Sequence, residues 1–121
     1  MTLPIEARLL EDSINLVWNE RDDTRRLEVM REIYHPEAVI FEPSRSVTGH
    51  QAIADVVRDV LKDMPPGFRF RVVGPSLGHH DVATTRWEGG PDGKVVVSGA
   101  DVVRVKDGLL VEHYFYFDPQ P

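Results

Sequence analysis

KVVVSGADVVRVK (Lys94–Lys106) is followed by Asp107-Gly108, and a second apolar-rich stretch, Leu109–Phe117, comes directly after that pair. An Asp-Gly pair between two β-rich stretches is a strong hairpin signal, because both turn residues must tolerate positive φ. The sequence therefore predicts a β-hairpin in the last third of the chain.

The first arm of this hairpin places one acid on an apolar face. Side chains alternate along a strand, so Arg104 and Lys106 share one face, whereas Asp101 shares the other face with Val103 and Val105. A carboxyl group that points into an apolar interior is costly unless it is paired or protonated. Asp101 is therefore the first candidate for a functional residue.

The rest of the chain predicts three helices followed by strands. Apolar residues three and four positions apart predict three helices: Ile5–Glu20, about Thr24 to Ile33, and Gly49 to about Met64. Tyr34 is predicted to belong to the buried face of the second helix. The other predicted segments are a strand over Glu37–Glu42, a polar loop over Ser44–Thr48, strands over Phe68–Val72 and about His79–Glu88, and a flexible connection over Gly89–Gly93. This order predicts one α+β domain over residues 1–121, with helices on one side of a curved, mainly antiparallel sheet that encloses a pocket.

Composition narrows the class of function. The chain has 121 residues, with 20 acids against 14 bases, and an acidic protein lacks the basic footprint that nucleic acid binding needs. The absence of cysteine excludes disulfides, thiolate metal sites and cysteine nucleophiles. There is no apolar run of the roughly 20 residues that a membrane span needs and no basic start of a signal peptide. We expect a cytoplasmic protein with no nucleic acid or membrane partner.

Several motifs together carry a resemblance to a known family. They are Trp18-Asn19, Tyr34-His35-Pro36-Glu37-Ala38-Val39, Phe41-Glu42-Pro43, Gly49-His50-Gln51-Ala52-Ile53, Gly99-Ala100-Asp101-Val102, Asp107-Gly108 and Tyr116-Phe117-Asp118. Over nearly its whole length the chain resembles the nuclear-transport-factor-2-like superfamily, in particular its SnoaL-like and ketosteroid-isomerase-like branches. The resemblance implies a cone-shaped α+β fold and a homodimer.

The resemblance also implies roles for two acids. In ketosteroid isomerases the acid after the first strand is the general base, and a late-strand Asp donates a hydrogen bond to the developing oxyanion; Glu42 and Asp101 match these positions. Trp18 stands where the isomerases carry a tyrosine, and an indole is a much weaker acid than a phenol. In SnoaL-like polyketide cyclases the late-strand Asp resembles the acid–base residue, and no tyrosine is obligatory. The resemblance thus implies a cofactor-independent isomerase or cyclase that acts on a small hydrophobic carbonyl compound, with Asp101 held protonated.

Two other interpretations stay open. A non-catalytic ligand-binding or dimerisation module predicts a pocket plugged by Trp18 and Phe115, with Asp101 capping a turn or paired to a neighbouring base such as Arg86. An epoxide-hydrolase-like enzyme needs a water between two acids and a base, and only Arg86 offers that base. Phe115 occupies the position of the catalytic Asp in that branch.

The predicted ligand-binding residues are aromatic, apolar or basic: Trp18, Tyr34, Phe41, Arg86, Val103, His113 and Phe115. Aromatic residues at such positions also fit an ordinary core, His113 also fits a buried neutral histidine, and Glu42 also fits a loop-edge carboxylate. Trp87 and Tyr114 are candidates for a face that contacts a partner subunit. His79 and His80 are adjacent on a predicted strand and point to opposite faces, so no metal site is predicted.

Overall fold

Three helices pack against one face of a seven-stranded sheet in the computed structural model, which describes residues 2–120. The helices are α1 (Ile5–Asp12), which continues as a π-helical segment over Ser13–Val17, α2 (Asp23–Ile33) and α3 (His50–Lys62). The strands are β1 (Tyr34–Glu42), β2 (Arg45–Thr48), β3 (Phe68–Val72), β4 (Leu77–His79), β5 (Val82–Pro91), β6 (Val97–Lys106) and β7 (Leu109–Phe117). The predicted α+β fold is confirmed.

The sheet is curved and unclosed, with strand order β2-β1-β7-β6-β5-β3, and β4 pairs with β5. β1 runs parallel to β7, and every other pair is antiparallel. The predicted hairpin is β6–β7, whose turn residues Asp107 and Gly108 have φ of 55° and 76°. No helix in the described part of the chain is long and apolar enough to cross a membrane.

Several predicted segments differ from the structure. The first helix becomes π-helical and ends at Val17, and Tyr34 belongs to β1, not to α2. The predicted polar loop over Ser44–Thr48 contains β2, because a short edge strand pairs through its backbone and needs no apolar alternation.

The region predicted as one strand over His79–Glu88 is also different. His80 and Asp81 have φ of 52° and 67° and form a turn between β4 and β5. β5 then extends through Gly89, predicted to lie in a flexible connection. A Cβ at Gly89 would lie 2.9 Å from Cζ of Phe68, so glycine is needed here for packing within the sheet.

Asn19 ties the end of the first helix to an edge strand. Its Nδ2 donates to the Phe70 carbonyl at 2.9 Å, and its Oδ1 accepts from the Phe70 N–H at 2.7 Å. The side chain therefore pairs with the open edge of β3 as a neighbouring strand would.

We expect Asn19→Ala to lower the free energy of unfolding by about 1–3 kcal/mol, because two partly buried backbone groups lose their partner. Urea denaturation measures the loss. Asn15→Ala, at an exposed position of the π-helical segment, is the matched control and should change stability by less than about 0.5 kcal/mol. Equal effects of the two substitutions would contradict the role of Asn19.

Candidate functional site

A cavity of about 360 Å³ lies between the helices and the sheet. Its lining residues are Ile14, Trp18, Glu42, Val60, Met64, Phe70, Trp87, Val96, Val97, Asp101, Phe115 and Phe117. All of these side chains are apolar or aromatic except two carboxyl groups, those of Asp101 and Glu42. The cavity wall is therefore apolar except for two carboxyl groups.

The two ends of the cavity differ in exposure. Asp101 is 2% exposed and Trp87 is 4% exposed, whereas Val96 is 56% and Phe117 is 47% exposed. Asp101 thus lies at the closed end, and Val96 and Phe117 belong to the end that meets solvent.

Asp101 is held by two nitrogen atoms. Nε1 of Trp87 donates to Oδ1 at 2.7 Å, and Nε2 of His113 lies 2.8 Å from Oδ2. An indole nitrogen can only donate, so at least one carboxyl oxygen acts as an acceptor. Both carboxyl oxygens are thus already bonded to protein nitrogens, which differs from the expectation of a protonated acid whose O–H is free to donate to a ligand.

The hydrogen-bonded chain continues behind Asp101. Nδ1 of His113 lies 2.7 Å from the Tyr34 hydroxyl, and Nε1 of Trp18 donates to that hydroxyl at 3.2 Å. Tyr34 and His113 are fully buried. Within residues 2–120, no buried side-chain nitrogen or oxygen lacks a hydrogen-bond partner. The chain is thus a closed polar network inside the core.

Tyr34 is the phenol of this network. Burial raises the pKa of Tyr34 above its ordinary range, and hydrogen bonds with Trp18 and Ser13 oppose that effect only in part. The hydroxyl therefore keeps its proton at neutral pH and remains able to donate.

Gly99 makes room for the indole that binds Asp101. It pairs with Trp87 across β5 and β6, and a Cβ at Gly99 would lie 2.9 Å from Cζ2 of Trp87 and 2.1 Å from the Tyr116 carbonyl oxygen.

The prediction that Trp87 faces a partner subunit is wrong. Trp87 lies on the helix-facing side of β5, in the same alternation as the buried Thr85.

Glu42 stands at the end of β1. Its Oε1 accepts from Nε of Arg45 at 2.7 Å across the β1–β2 pair, and its side chain is 19% exposed. Glu42 therefore contributes a second, partly exposed carboxylate to the cavity wall, and its catalytic role stays a prediction.

The structure separates the seven predicted ligand-binding residues into groups. Trp18 and Phe115 line the cavity, with ring centroids 4.8 Å apart in an edge contact. Tyr34 and His113 lie behind Asp101, and Val103 is a fully buried core residue.

Phe41 and Arg86 are on the opposite face of the sheet, and their placement in the cavity is wrong. Phe41 stacks on Tyr114 at 4.4 Å, and Arg86 is bound to Asp118. Both errors have one cause: Phe41 precedes the inward-facing Glu42 and Arg86 precedes the inward-facing Trp87, so alternation points each away from the cavity. Arg86 is therefore neither the base required for epoxide opening nor the partner of Asp101.

Eight lining residues were absent from the predicted set: Ile14, Val60, Met64, Phe70, Trp87, Val96, Val97 and Phe117. A sequence signal existed for those in the predicted helices. Ile14 and Trp18 are four positions apart, as are Val60 and Met64, and this spacing places side chains on one helix face. Phe117 lies two residues beyond Phe115, on the same face of β7.

Comparisons with solved structures agree with this fold. The solved structure of a candidate isomerase of the SnoaL-like family from Agrobacterium tumefaciens superposes with a TM-score of 0.81 at 26% identity, over 94% of this chain and 95% of that chain. A candidate SnoaL-like polyketide cyclase from Jannaschia sp. gives 0.76 at 16% identity, over 94% and 85%. A candidate ketosteroid isomerase from Kribbella flavida gives 0.70 at 14% identity, over 97% and 83%.

No curated protein sequence matches this chain. The sequence profile of the SnoaL-like domain, by contrast, matches residues 11–113, which is most of the chain. The predicted resemblance is confirmed, and the chain belongs to the family of SnoaL-like domains.

Proposed function

We propose that this protein is a cofactor-independent isomerase or cyclase that acts on a small hydrophobic carbonyl compound by acid–base catalysis. The carrying observation is a buried carboxyl group, that of Asp101, at the closed end of an otherwise apolar cavity of about 360 Å³. This volume falls at the lower end of the range of about 300–1,000 Å³ typical of small-molecule sites.

Asp101 is the proton carrier in this proposal. Its carboxylate takes a proton from the carbon beside a carbonyl group, and the electron pair of the broken C–H bond moves onto the carbonyl oxygen to give an enolate. Where a C=C bond adjoins that carbon, the enolate is conjugated with it, and returning the proton to the far carbon of that C=C bond shifts the double bond and yields an isomer. Alternatively, the enolate carbon attacks a second carbonyl of the same molecule, and the new alkoxide takes the proton, which closes a ring. Both routes balance without a co-reactant.

The sequence predicts Glu42 as the general base; we propose Asp101 in that role instead, and the hydrogen bonds at Asp101 support the change. A carboxylate that already accepts an indole N–H would repel a developing oxyanion, whereas it can accept a proton from carbon. Glu42, paired with Arg45, then acts as a second acid that orients the more polar end of the ligand.

The test is deuterium uptake from deuterium oxide by a panel of hydrophobic ketones, followed by proton NMR. We expect the wild-type protein to accelerate exchange at the carbon beside the carbonyl of at least one compound class. Val60→Trp, which fills the cavity from α3, should abolish the acceleration, and Val73→Trp, at an exposed position outside the cavity, should preserve it. No acceleration with any ketone would contradict the proposal.

A second candidate is a binding module without turnover, because the Asp101 carboxyl is already satisfied by Trp87 and His113. If the protein only binds ligands, ketones should saturate the cavity, and their deuterium uptake should stay at the rate measured in buffer alone. Binding without exchange would favour it, and exchange that Val60→Trp blocks would exclude it.

We also propose a homodimer that forms through the sheet face opposite the helices. Phe41, Tyr114 and Tyr116 form a stacked row there, and Tyr116 is 55% exposed. Arg104 and Glu112 lie beside this row and form an ion pair with each other. The aromatic row itself therefore carries no charge. An exposed apolar row of this kind is typical of an interface.

The dimer predicts a specific effect of charge on this row. Wild-type protein should sediment as a dimer in analytical ultracentrifugation, and Tyr116→Glu should shift it to the monomer because two carboxylates would be buried unpaired. Arg31→Glu, an exposed change on α2, serves as the control and should leave the dimer intact. A wild-type monomer at all concentrations would contradict the proposal.

A further inference from the structure

The hydrogen-bonded chain behind the cavity starts and ends at an indole. Trp18 donates to the Tyr34 hydroxyl at one end, and Trp87 donates to Asp101 at the other. An indole N–H cannot accept, so the direction of both end bonds is fixed. The remaining freedom lies in the two bonds made by His113.

Tyr34 decides the direction of those two bonds. Its oxygen accepts from Trp18, its O–H is available to donate, and Nδ1 of His113 lies 2.7 Å away. If the Tyr34 O–H donates to Nδ1, then Nδ1 is the unprotonated nitrogen, and Nε2 carries the proton donated to Oδ2 of Asp101 over 2.8 Å. This arrangement gives every donor in the chain one acceptor.

The direction of these hydrogen bonds matters because Tyr34 and His113 are buried. Tyr34 and His113 are 0% exposed, so solvent water does not offer either residue an alternative partner. A buried polar group without a partner costs about 1–3 kcal/mol. The hydroxyl also keeps its proton, because burial raises the pKa of Tyr34.

We propose that Tyr34 is a positioning residue: its O–H holds His113 in the Nε2–H tautomer, and His113 in turn holds Asp101 as an accepting carboxylate at the cavity wall. The catalytic consequence rests on the proposed function. The tautomer is tested without any substrate.

The consequence concerns how Asp101 is presented to a ligand. Each carboxylate oxygen has about two lone-pair positions, and Trp87 and His113 occupy one on each oxygen. The carboxylate is thereby fixed from two sides, and its remaining lone pairs are left for a proton from the ligand. Tyr34 itself does not line the cavity. Tyr34→Phe should therefore lower kcat and leave KM unchanged.

The direct experiment is a long-range proton–nitrogen correlation spectrum of protein labelled with nitrogen-15 at histidine. The signals of His113 are identified by their loss in His113→Gln. We expect Nε2 of His113 to be protonated and Nδ1 to be unprotonated at neutral pH. A protonated Nδ1 in the wild-type protein would overturn the proposal, because the Tyr34 O–H would then not donate to His113.

Variants test the part played by the phenol. Tyr34→Phe removes the donor to Nδ1, so the His113 signals should move toward the average of the two tautomers. Tyr114→Phe, which removes a phenol from the opposite face of the sheet, should leave them in place. An unchanged tautomer in folded Tyr34→Phe would overturn the proposal. The wild-type spectrum needs no variant, so it decides the tautomer even if Tyr34→Phe does not fold.

Failure of the proposed function gives a different pattern. One such outcome is a wild-type protein that binds ketones without exchange and still shows the Nε2–H tautomer of His113 and its dependence on Tyr34. That result contradicts the proposed enzymatic function and supports the proposed role of Tyr34. Exchange activity in a protein whose Nδ1 is protonated supports the enzymatic function and contradicts the role of Tyr34.

Discussion

Replacing Asp101 by asparagine is expected to lower the rate of deuterium exchange by about 10²–10⁴-fold, the usual contribution of a positioned proton carrier. The amide keeps the shape of the carboxyl group, and its oxygen can still accept from Nε1 of Trp87. It cannot take a proton from carbon. The measurement is the exchange rate at saturating ketone, so that a change in binding does not contribute.

Two comparisons sharpen this result. Glu112→Gln removes a carboxylate from the opposite face of the sheet, where it pairs with Arg104, and should leave the exchange rate unchanged. Glu42→Gln should cost less than Asp101→Asn, because Glu42 is already paired with Arg45. A larger loss at Glu42 than at Asp101 would return the role of general base to Glu42.

Gly99→Val is expected to have the largest effect on stability. Even a Cβ at this position would lie 2.1 Å from the carbonyl oxygen of Tyr116, a backbone atom of the paired strand β7. β6 and β7 cannot keep their spacing, and the indole of Trp87 is displaced as well. We expect a loss of about 3 kcal/mol, the upper part of the range for overpacked cores, or a failure to fold.

Chemical denaturation measures this loss. Ala100→Val adds the same kind of side chain one residue away, on the opposite face of β6, and should change stability by less than about 0.5 kcal/mol. A Gly99→Val protein as stable as Ala100→Val would show that the close approach of β6 to β7 is not required.

The hairpin and the inward direction of Asp101 could be predicted from sequence because both follow from local rules. Asp107-Gly108 specifies the turn, and a period of two specifies the face of each residue in β6. The same period, applied to β1 and β5, would have placed Phe41 and Arg86 outside the cavity and Trp87 inside it. The chemistry of Phe41 and Arg86 suits a ligand site, but alternation along each strand sets the face on which they lie.

The partners of Asp101 could not be predicted from sequence. Trp87 and His113 reach it from strands on either side of β6, and their identity depends on the register of two strand pairs. The space left by Gly99 becomes visible only when that register is known. The link from Tyr34 to His113 joins residues 79 positions apart through the parallel β1–β7 pair, for which the chain carries no local signal.

The most direct test of the account is a titration of nitrogen-15 tryptophan-labelled protein with the ketones of the panel. The chain has two tryptophans, and both line the cavity, so their indole N–H signals report its occupancy. We expect both signals to shift saturably with a hydrophobic ketone, with the larger shift at Trp87, whose N–H is bonded to Asp101. A ketone whose exchange the protein accelerates while both indole signals stay in place would contradict the account, because turnover would then occur outside this cavity.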